Sequence, residues 1–271
     1  MPLLHGYRME NHRRPQPVEE LPLPETLYIP LPGAEESYAR IVPEGKEVAK
    51  GQVLSAPKYA AVAHAPAPGV MESVEFRHIP SCGNVWAAKL RVGGSRAIQP
   101  RPAQGQNRDE RILRAAADAG IVDEMTGRPL YQELYRLRRR EVSLLLACGI
   151  EDDPWCSSAL SVLAEAPEDV AEGLSLAAAF CGAEETGVAV CPENVRETRE
   201  RFPSMRIEAA KERYPARAFL LRRLRAAGTA ASLLGPQALA ALAAMDEAGF
   251  SSVFSRGITA AIARSKELAS C

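Results

Sequence analysis

The chain has 271 residues, and its 33 Lys+Arg against 34 Asp+Glu leave a formal charge of −1 at neutral pH. Apolar residues make up 46% and charged residues 25%, a globular composition that excludes a disordered chain. With no surplus of cations to neutralise phosphates, nucleic acid is not an expected partner, and the basic cluster Arg136, Arg138, Arg139 and Arg140 reads as a solvated helix end.

Proline divides the chain. Fourteen of the 21 prolines fall in residues 1–102 and seven in the rest. Proline removes a backbone donor and fixes φ, so it suits turns and edge strands and opposes helix interiors. Residues 1–20 read as a leader, with charges and histidines but no apolar run of a secretory signal. Residues 21–92 carry short strand-forming runs at 26–29, 38–42, 53–54, 61–63, 70–76 and 85–92, separated by Pro and Gly, the pattern of a small all-β domain. Gly45 and Gly51 give tight turns, and Pro66, Pro68 and Gly69 turn the next hairpin. Residues 93–107, rich in Gly, Pro and Gln, read as a linker.

From residue 108 the period becomes helical. The pattern predicts helices over 108–119, stopped by Gly120, and over 130–140. The apolar run 142–148 predicts a strand covered on both faces. Pro167 starts a helix with Glu168 and Asp169 in its first turn and Gly182 as its stop. A strand at 188–191, a polar helix at 193–201, a strand at 205–209 and a helix at 216–226 follow. The uncharged stretch 226–245 is mostly alanine and is broken by Gly235-Pro236. It reads as a buried strand, a turn and a helix stopped by Gly249, not as a membrane span. Strands alternating with helices over 108–271 predict a Rossmann-like α/β domain with a largely parallel sheet.

Six cysteines (Cys82, Cys148, Cys156, Cys181, Cys191 and Cys271) contain no CxxC spacing, so no iron–sulfur cluster or zinc ribbon is encoded locally. All four histidines precede residue 79, leaving the α/β part without an imidazole. No GxSxG elbow and no phosphate-binding GxxxxGK[ST] loop occurs, which disfavours ordinary hydrolase chemistry. The expected location is the cytoplasm, with at most peripheral association at the inner face of the membrane.

The pair of segments IVPEGKEVAKGQ (41–52) and AHAPAPGV (63–70) resembles the lipoyl/biotinyl barrel-sandwich hybrid. In carriers of that fold a hairpin lysine bears the cofactor, and Lys58 falls near the corresponding position, although in Ala-Pro-Lys-Tyr it lacks the methionines of biotin carriers. The wider order of segments resembles the RnfC-like electron-transport family, itself similar to the flavin-binding 51 kDa subunit of respiratory complex I. Ala119-Gly120-Ile121-Val122 is similar to the family's AGIVG, and the segment from Gly149 through Glu151, Asp153 and Trp155 to its GAECEPY. Pro167 to Leu174 is like PEEVVEGL, and Tyr214-Pro215 falls where the family has KYPQGGE.

The resemblance implies an electron-transfer protein that uses FMN and NADH and docks to protein partners in a reductase or membrane redox complex. In outline it is nearest the branch associated with proline reductase, the PrdC type, and the rival reading is a non-catalytic adaptor of such a complex. The sequence departs from the family at the glycine-rich GGAGFPT loop, where it has Asp123-Glu124-Met125-Thr126-Gly127-Arg128-Pro129. Two carboxylates there oppose a phosphate by about 1 kcal/mol or more per close pair. Ala216-Arg217-Ala218 replaces the second glycine pair, and the family's cysteine-rich cluster module has no counterpart in the sequence. By analogy, the candidate cofactor-binding residues are Gly149, Glu151 and Asp153 at the predicted strand end, with Cys148 and Cys156 as candidate redox thiols. The plain alternative for Glu151 and Asp153 is an acidic turn capping the next helix.

Overall fold

The computed structural model describes residues 14–19, 21–31, 42–80, 83–98, 105–151, 153, 155–210 and 214–247. The predicted strand 38–42 and the helix stop at Gly249 lie wholly or largely outside them. The first part is all β. Strands β1 (Thr26–Pro30), β2 (Glu47–Val48), β5 (Gly69–Ile79) and β6 (Gly83–Val92) form a sheet in the order β1-β6-β5-β2, and β3 (Val53–Ser55) pairs with β4 (Ala63–His64). The long hairpin β5–β6 carries the register, with Met71 opposite Leu90 and Phe76 opposite Trp86, and a bulge between Met71 and Ser73. Alternate residues point inward, so Met71, Ala88 and Leu90 meet Leu31, Val48 and Leu54 in one core.

Helix α1 (Arg108–Asp118) opens the second part. Asn107 caps it by accepting the Glu110 amide at 2.9 Å, while Glu110 Oε2 reaches back to the Gln106 amide. Gly120, at φ 64°, ends it in the left-handed conformation that glycine adopts without cost. A two-residue-strand hairpin, β7 (Val122–Asp123) and β8 (Arg128–Pro129), leads into α2 (Leu130–Arg138). The central sheet then builds as β9 (Leu144–Cys148), α3 (Ser158–Glu165), α4 (Pro167–Cys181), β10 (Glu185–Val190), α5 (Val195–Arg201), β11 (Arg206–Ala209), α6 (Ala216–Ala226), β12 (Ala231–Leu234) and α7 (Pro236–Glu247). All four strands are parallel, in the order β11-β10-β9-β12.

The sheet's two faces follow from strand alternation. Leu145, Ala147, Val188, Val190 and Leu234 face α1, α2, α3, α4 and α7, while Leu144, Leu146, Cys148, Ala189 and Leu233 face α6 through Leu220 and Leu224. Each fully buried leucine contributes about 1.5–3 kcal/mol, which is why the uninterrupted apolar run of β9 sits at the centre.

The two parts touch through the β3–β4 segment. A Cβ on Gly120 would meet the Val62 carbonyl at 2.1 Å, so the helix end lies directly on the β part. Gln132 Nε2 donates to the Tyr59 carbonyl at 3.2 Å. His64 is buried beside Asp118; burial drives its imidazole down to about 4, against hydrogen bonds with the backbone of Asp118 and Val62.

Candidate functional site

In an open parallel sheet, a ligand site arises where successive strands depart to opposite sides, because the connections leave a crevice beyond the carboxyl ends. Here that point lies between β9 and β12: from β9 the chain proceeds outward to β10 and β11, then returns to place β12 on the other flank. Gly149, Ile150 and Glu151 follow β9 at this edge, and Gly235 with the first turn of α7 follows β12.

The crevice is filled by the hairpin that precedes the sheet. Asp123 Oδ1 accepts the Gly235 amide at 2.9 Å, and Asp123 Oδ2 accepts the Thr126 hydroxyl at 2.7 Å. Glu124 Oε1 accepts the Gln237 amide at 2.8 Å, and Oε2 accepts the Ala238 amide at 3.1 Å. A helix exposes the amides of its first turn, and these normally await a cap, water or an anion. In α7 all are accounted for: Gly235 by Asp123, Gln237 and Ala238 by Glu124, and Pro236 has none. Gly235 is part of this fit, since a Cβ there would lie 2.0 Å from Glu124 Cδ.

Burial sets the electrostatics of the cluster. Desolvation raises the Asp123 carboxyl, partly countered by the Gly235 amide and the Thr126 hydroxyl, with the Glu133 charge adding to the rise. Desolvation pushes Glu124 up to about 8, with Asp123 adding to it and the amides of Gln237 and Ala238 opposing. Glu133 is itself buried and is held by the Arg136 guanidinium, whose Nε donates at 2.8 Å. Arg217, in the segment that replaces the second glycine pair, points its guanidinium at the Met125 sulfur at 3.4 Å.

The residues singled out from the sequence sit around this cluster in separate roles. Glu151 Oε1 accepts both the Ser158 hydroxyl at 2.7 Å and the Ala159 amide at 2.6 Å, capping α3. Asp153 Oδ1 accepts the Trp155 amide at 2.8 Å within its own turn; its neighbours Asp152 and Pro154 lie outside the described residues. Gly149 turns its Cα toward the core, where a Cβ would meet Leu163 Cδ1 at 2.6 Å and Val190 Cγ1 at 3.1 Å. The glycine there makes room for α3.

Cys148 is fully buried, its thiol donates to the Ile150 carbonyl at 3.5 Å, and desolvation pushes it up to about 12. It shares its core cluster with Cys191. Cys156 is half-buried on the following turn, its amide donating to the Asp153 carbonyl at 3.3 Å. Cys148, Cys156, Cys181 and Cys191 form no disulfide among the described residues. Lys58 is exposed between β3 and β4, its Nζ 5.0 Å from the Tyr59 ring, on a turn that Gln132 ties to α2. Among the described residues no three His, Cys, Asp or Glu side chains gather as a metal ion would require. None of the described helices is long and apolar enough to cross a membrane.

Residues 4–90 match the RnfC barrel sandwich hybrid domain. The chain is therefore a barrel-sandwich hybrid β domain followed by a Rossmann-like α/β domain. Among solved structures it is similar to a chain of the NAD+-reducing [NiFe]-hydrogenase in the H2-reduced state, with 21% identity, a TM-score of 0.42, and coverage of 56% of this chain and 34% of that one. The air-oxidised state of an NAD+-reducing [NiFe]-hydrogenase gives 18% identity and a TM-score of 0.38, covering 58% of this chain and 37% of that one. The chain thus spans little more than a third of either. No curated protein matches it.

The resemblance in the sequence implies FMN and NADH. At the switch point the residues present do not fit the phosphate of either. The amides of the α7 first turn are already paired, the space over Gly235 holds the Glu124 carboxyl, and Asp123 lies beside it. A phosphate entering there would displace two hydrogen bonds and meet like charge or a buried acid. The hairpin carrying Asp123 and Glu124 was legible as a departure from the glycine loop; its closure onto α7 was not.

Proposed function

We propose that the chain is a component of a multi-subunit electron-transfer assembly of the RnfC-like type, and that its own share is to dock and position a redox partner. The observation that carries this reading is the RnfC barrel-sandwich match over residues 4–90, joined in one chain to a sheet of Rossmann-like order. The packing of the junction supports a docking role: Gly120 against Val62, Gln132 on Tyr59, and buried His64 beside Asp118 hold the two parts as one relief. The interior of the switch point supports positioning over electron carriage, because its thiol is buried and deactivated and its first-turn amides are paired internally. The acceptor we infer is an amino-acid reductase of the proline reductase type or a membrane redox complex, reached from a nicotinamide- or flavin-linked donor.

The test is purification of the tagged chain from its own host beside the chain made alone. The expected complex carries a flavin or iron–sulfur absorbance that the isolated chain lacks, with the coloured subunit identified by mass spectrometry. A chain that elutes without any redox subunit would remove the assembly reading. An isolated chain that takes up FMN and reduces a dye with NADH would remove the positioning role and leave the enzymatic one.

A further inference from the structure

The disagreement between the implied cofactor and the crevice is specific enough to be read as a device. Three contacts define it. Asp123 Oδ1 holds the Gly235 amide, Glu124 Oε1 holds the Gln237 amide, and Glu124 Oε2 holds the Ala238 amide. The two oxygens of one carboxyl bridge successive amides at the positive end of a 12-residue helix, the geometry with which such a helix end receives a phosphate. Glycine at 235 leaves room for that carboxyl and for nothing in addition. The hairpin that supplies it is fixed from below by the Leu130 amide on the Ile121 carbonyl at 2.7 Å and by the Gly127 amide on the Asp123 carbonyl at 2.8 Å.

We propose that Glu124, with Asp123, is an internal occupant of the phosphate seat at the β9–β12 switch point, so that the chain closes this crevice with its own carboxyl groups and admits no nucleotide phosphate there. The inference concerns this chain's own residues and holds whether or not it joins a redox assembly. The groups facing the carboxyl are Asp123 on its own hairpin, Cys148 on β9 and the α7 amides, with Glu133–Arg136 beyond Asp123 and Arg217 beside Met125. The amides that hold the carboxyl are those of Gln237 and Ala238 at the helix end, with the backbone amide of Glu124 itself.

The experiment reads the α7 amides by NMR in the full chain. In the wild type, inorganic phosphate and FMN leave the Gly235, Gln237 and Ala238 signals unmoved, and equilibrium dialysis finds no bound FMN. In Glu124→Ala the seat is open, so inorganic phosphate shifts Gln237 and Ala238 saturably. It also raises Tm about 3 °C beyond its effect on the wild type, which subtracts the general stabilisation by phosphate. Saturable movement of these amides by FMN in the wild type, or their indifference to phosphate in Glu124→Ala, would overturn the proposal. Should Glu124→Ala not fold, Glu124→Gln keeps the shape and replaces one of the two accepting oxygens with an NH2 that cannot accept an amide. Hydrogen exchange at Gln237 and Ala238 is then expected to speed about tenfold, a change of about 1.4 kcal/mol, and unchanged exchange would overturn the proposal equally.

Discussion

Two glutamates at the same edge of the sheet cap two helices, and the contrast between them explains most of what this site does. Glu151 caps α3 from seven and eight positions away along the chain, as its bonds to Ser158 and Ala159 show. Glu124 caps α7 across 113 and 114 positions. The local cap shapes one turn and is half-buried. The remote one, half-buried as well, fastens a hairpin that precedes the sheet onto the last described helix. A cap of the second kind ties the order of elements together, which is the use of a residue whose charge is otherwise poorly placed.

The largest expected effect lies where the remote cap has no slack. Gly235→Ala puts a Cβ into the Glu124 carboxyl and must drive it off the α7 amides, leaving buried polar groups unpaired. A loss of about 3 kcal/mol is expected, seen as a fall in Tm of roughly 6–12 °C. Gly149→Ala, at the matching end of β9, meets Leu163 and Val190 and costs about 1–3 kcal/mol by overpacking. The comparison breaks in a double-mutant cycle: adding Glu124→Ala should relieve Gly235→Ala and leave Gly149→Ala unchanged. Equal coupling to both glycines would mean that the carboxyl is not what fills the space over Gly235.

The pH profile sharpens the same contrast. Glu124 is raised by burial from its ordinary 4.5 to about 8, so between those values the folded chain keeps a proton that the unfolded chain has released. Stability therefore falls as pH climbs through that window, by up to about 1.4 kcal/mol per unit, and the raised Asp123 adds in the same direction. His64 works oppositely. Its neutral form is favoured by burial, with the value lowered from 6.5 to about 4, so stability is lost as pH falls through that range. Thermal melts from pH 6.5 to 8 should show the declining limb in the wild type and a shallower one in Glu124→Gln. An unchanged limb in that variant would assign the decline to other groups.

Much of the fold was legible because local signals agree. The run Leu144–Cys148 gave β9 through its apolar continuity, and Pro167 with Gly182 bracketed α4 at its two ends. Gly120 did the same for the end of α1. Several features escaped, three of them for plain physical reasons. The helix α3 was hidden behind serines, since Ser157, Ser158 and Ser161 are all buried and read as turn residues in sequence. Strands β5 and β6 run further than their apolar alternation, to Ile79 and from Gly83, because hairpin pairing alone extends them. The hairpin β7–β8 has two-residue strands, too short for any period. At the site, the sequence could flag Asp123 and Glu124 as hostile to a phosphate. Only the closure of the sheet brings them to the amides of Gly235, Gln237 and Ala238, and no spacing rule spans that distance.

The smallest effect belongs to the local cap and is the sharpest test of whether the two glutamates differ in kind. Glu151→Ala removes the acceptor for the Ala159 amide and the Ser158 hydroxyl; both donors are buried, but Glu151 itself is half-buried, so water can take the place of its carboxylate. Loss of a capping side chain of this sort costs about 1 kcal/mol, a fall in Tm of roughly 2–4 °C. Fraying should be confined to the first turn of α3, so hydrogen exchange should quicken at Ala159 and Leu160 and stay slow at Gln237 and Ala238. If Glu151→Ala instead destabilised the molecule as much as Glu124→Ala, the acidic turn after β9 would be holding more than α3. The switch point would then have two anchors where the geometry provides one.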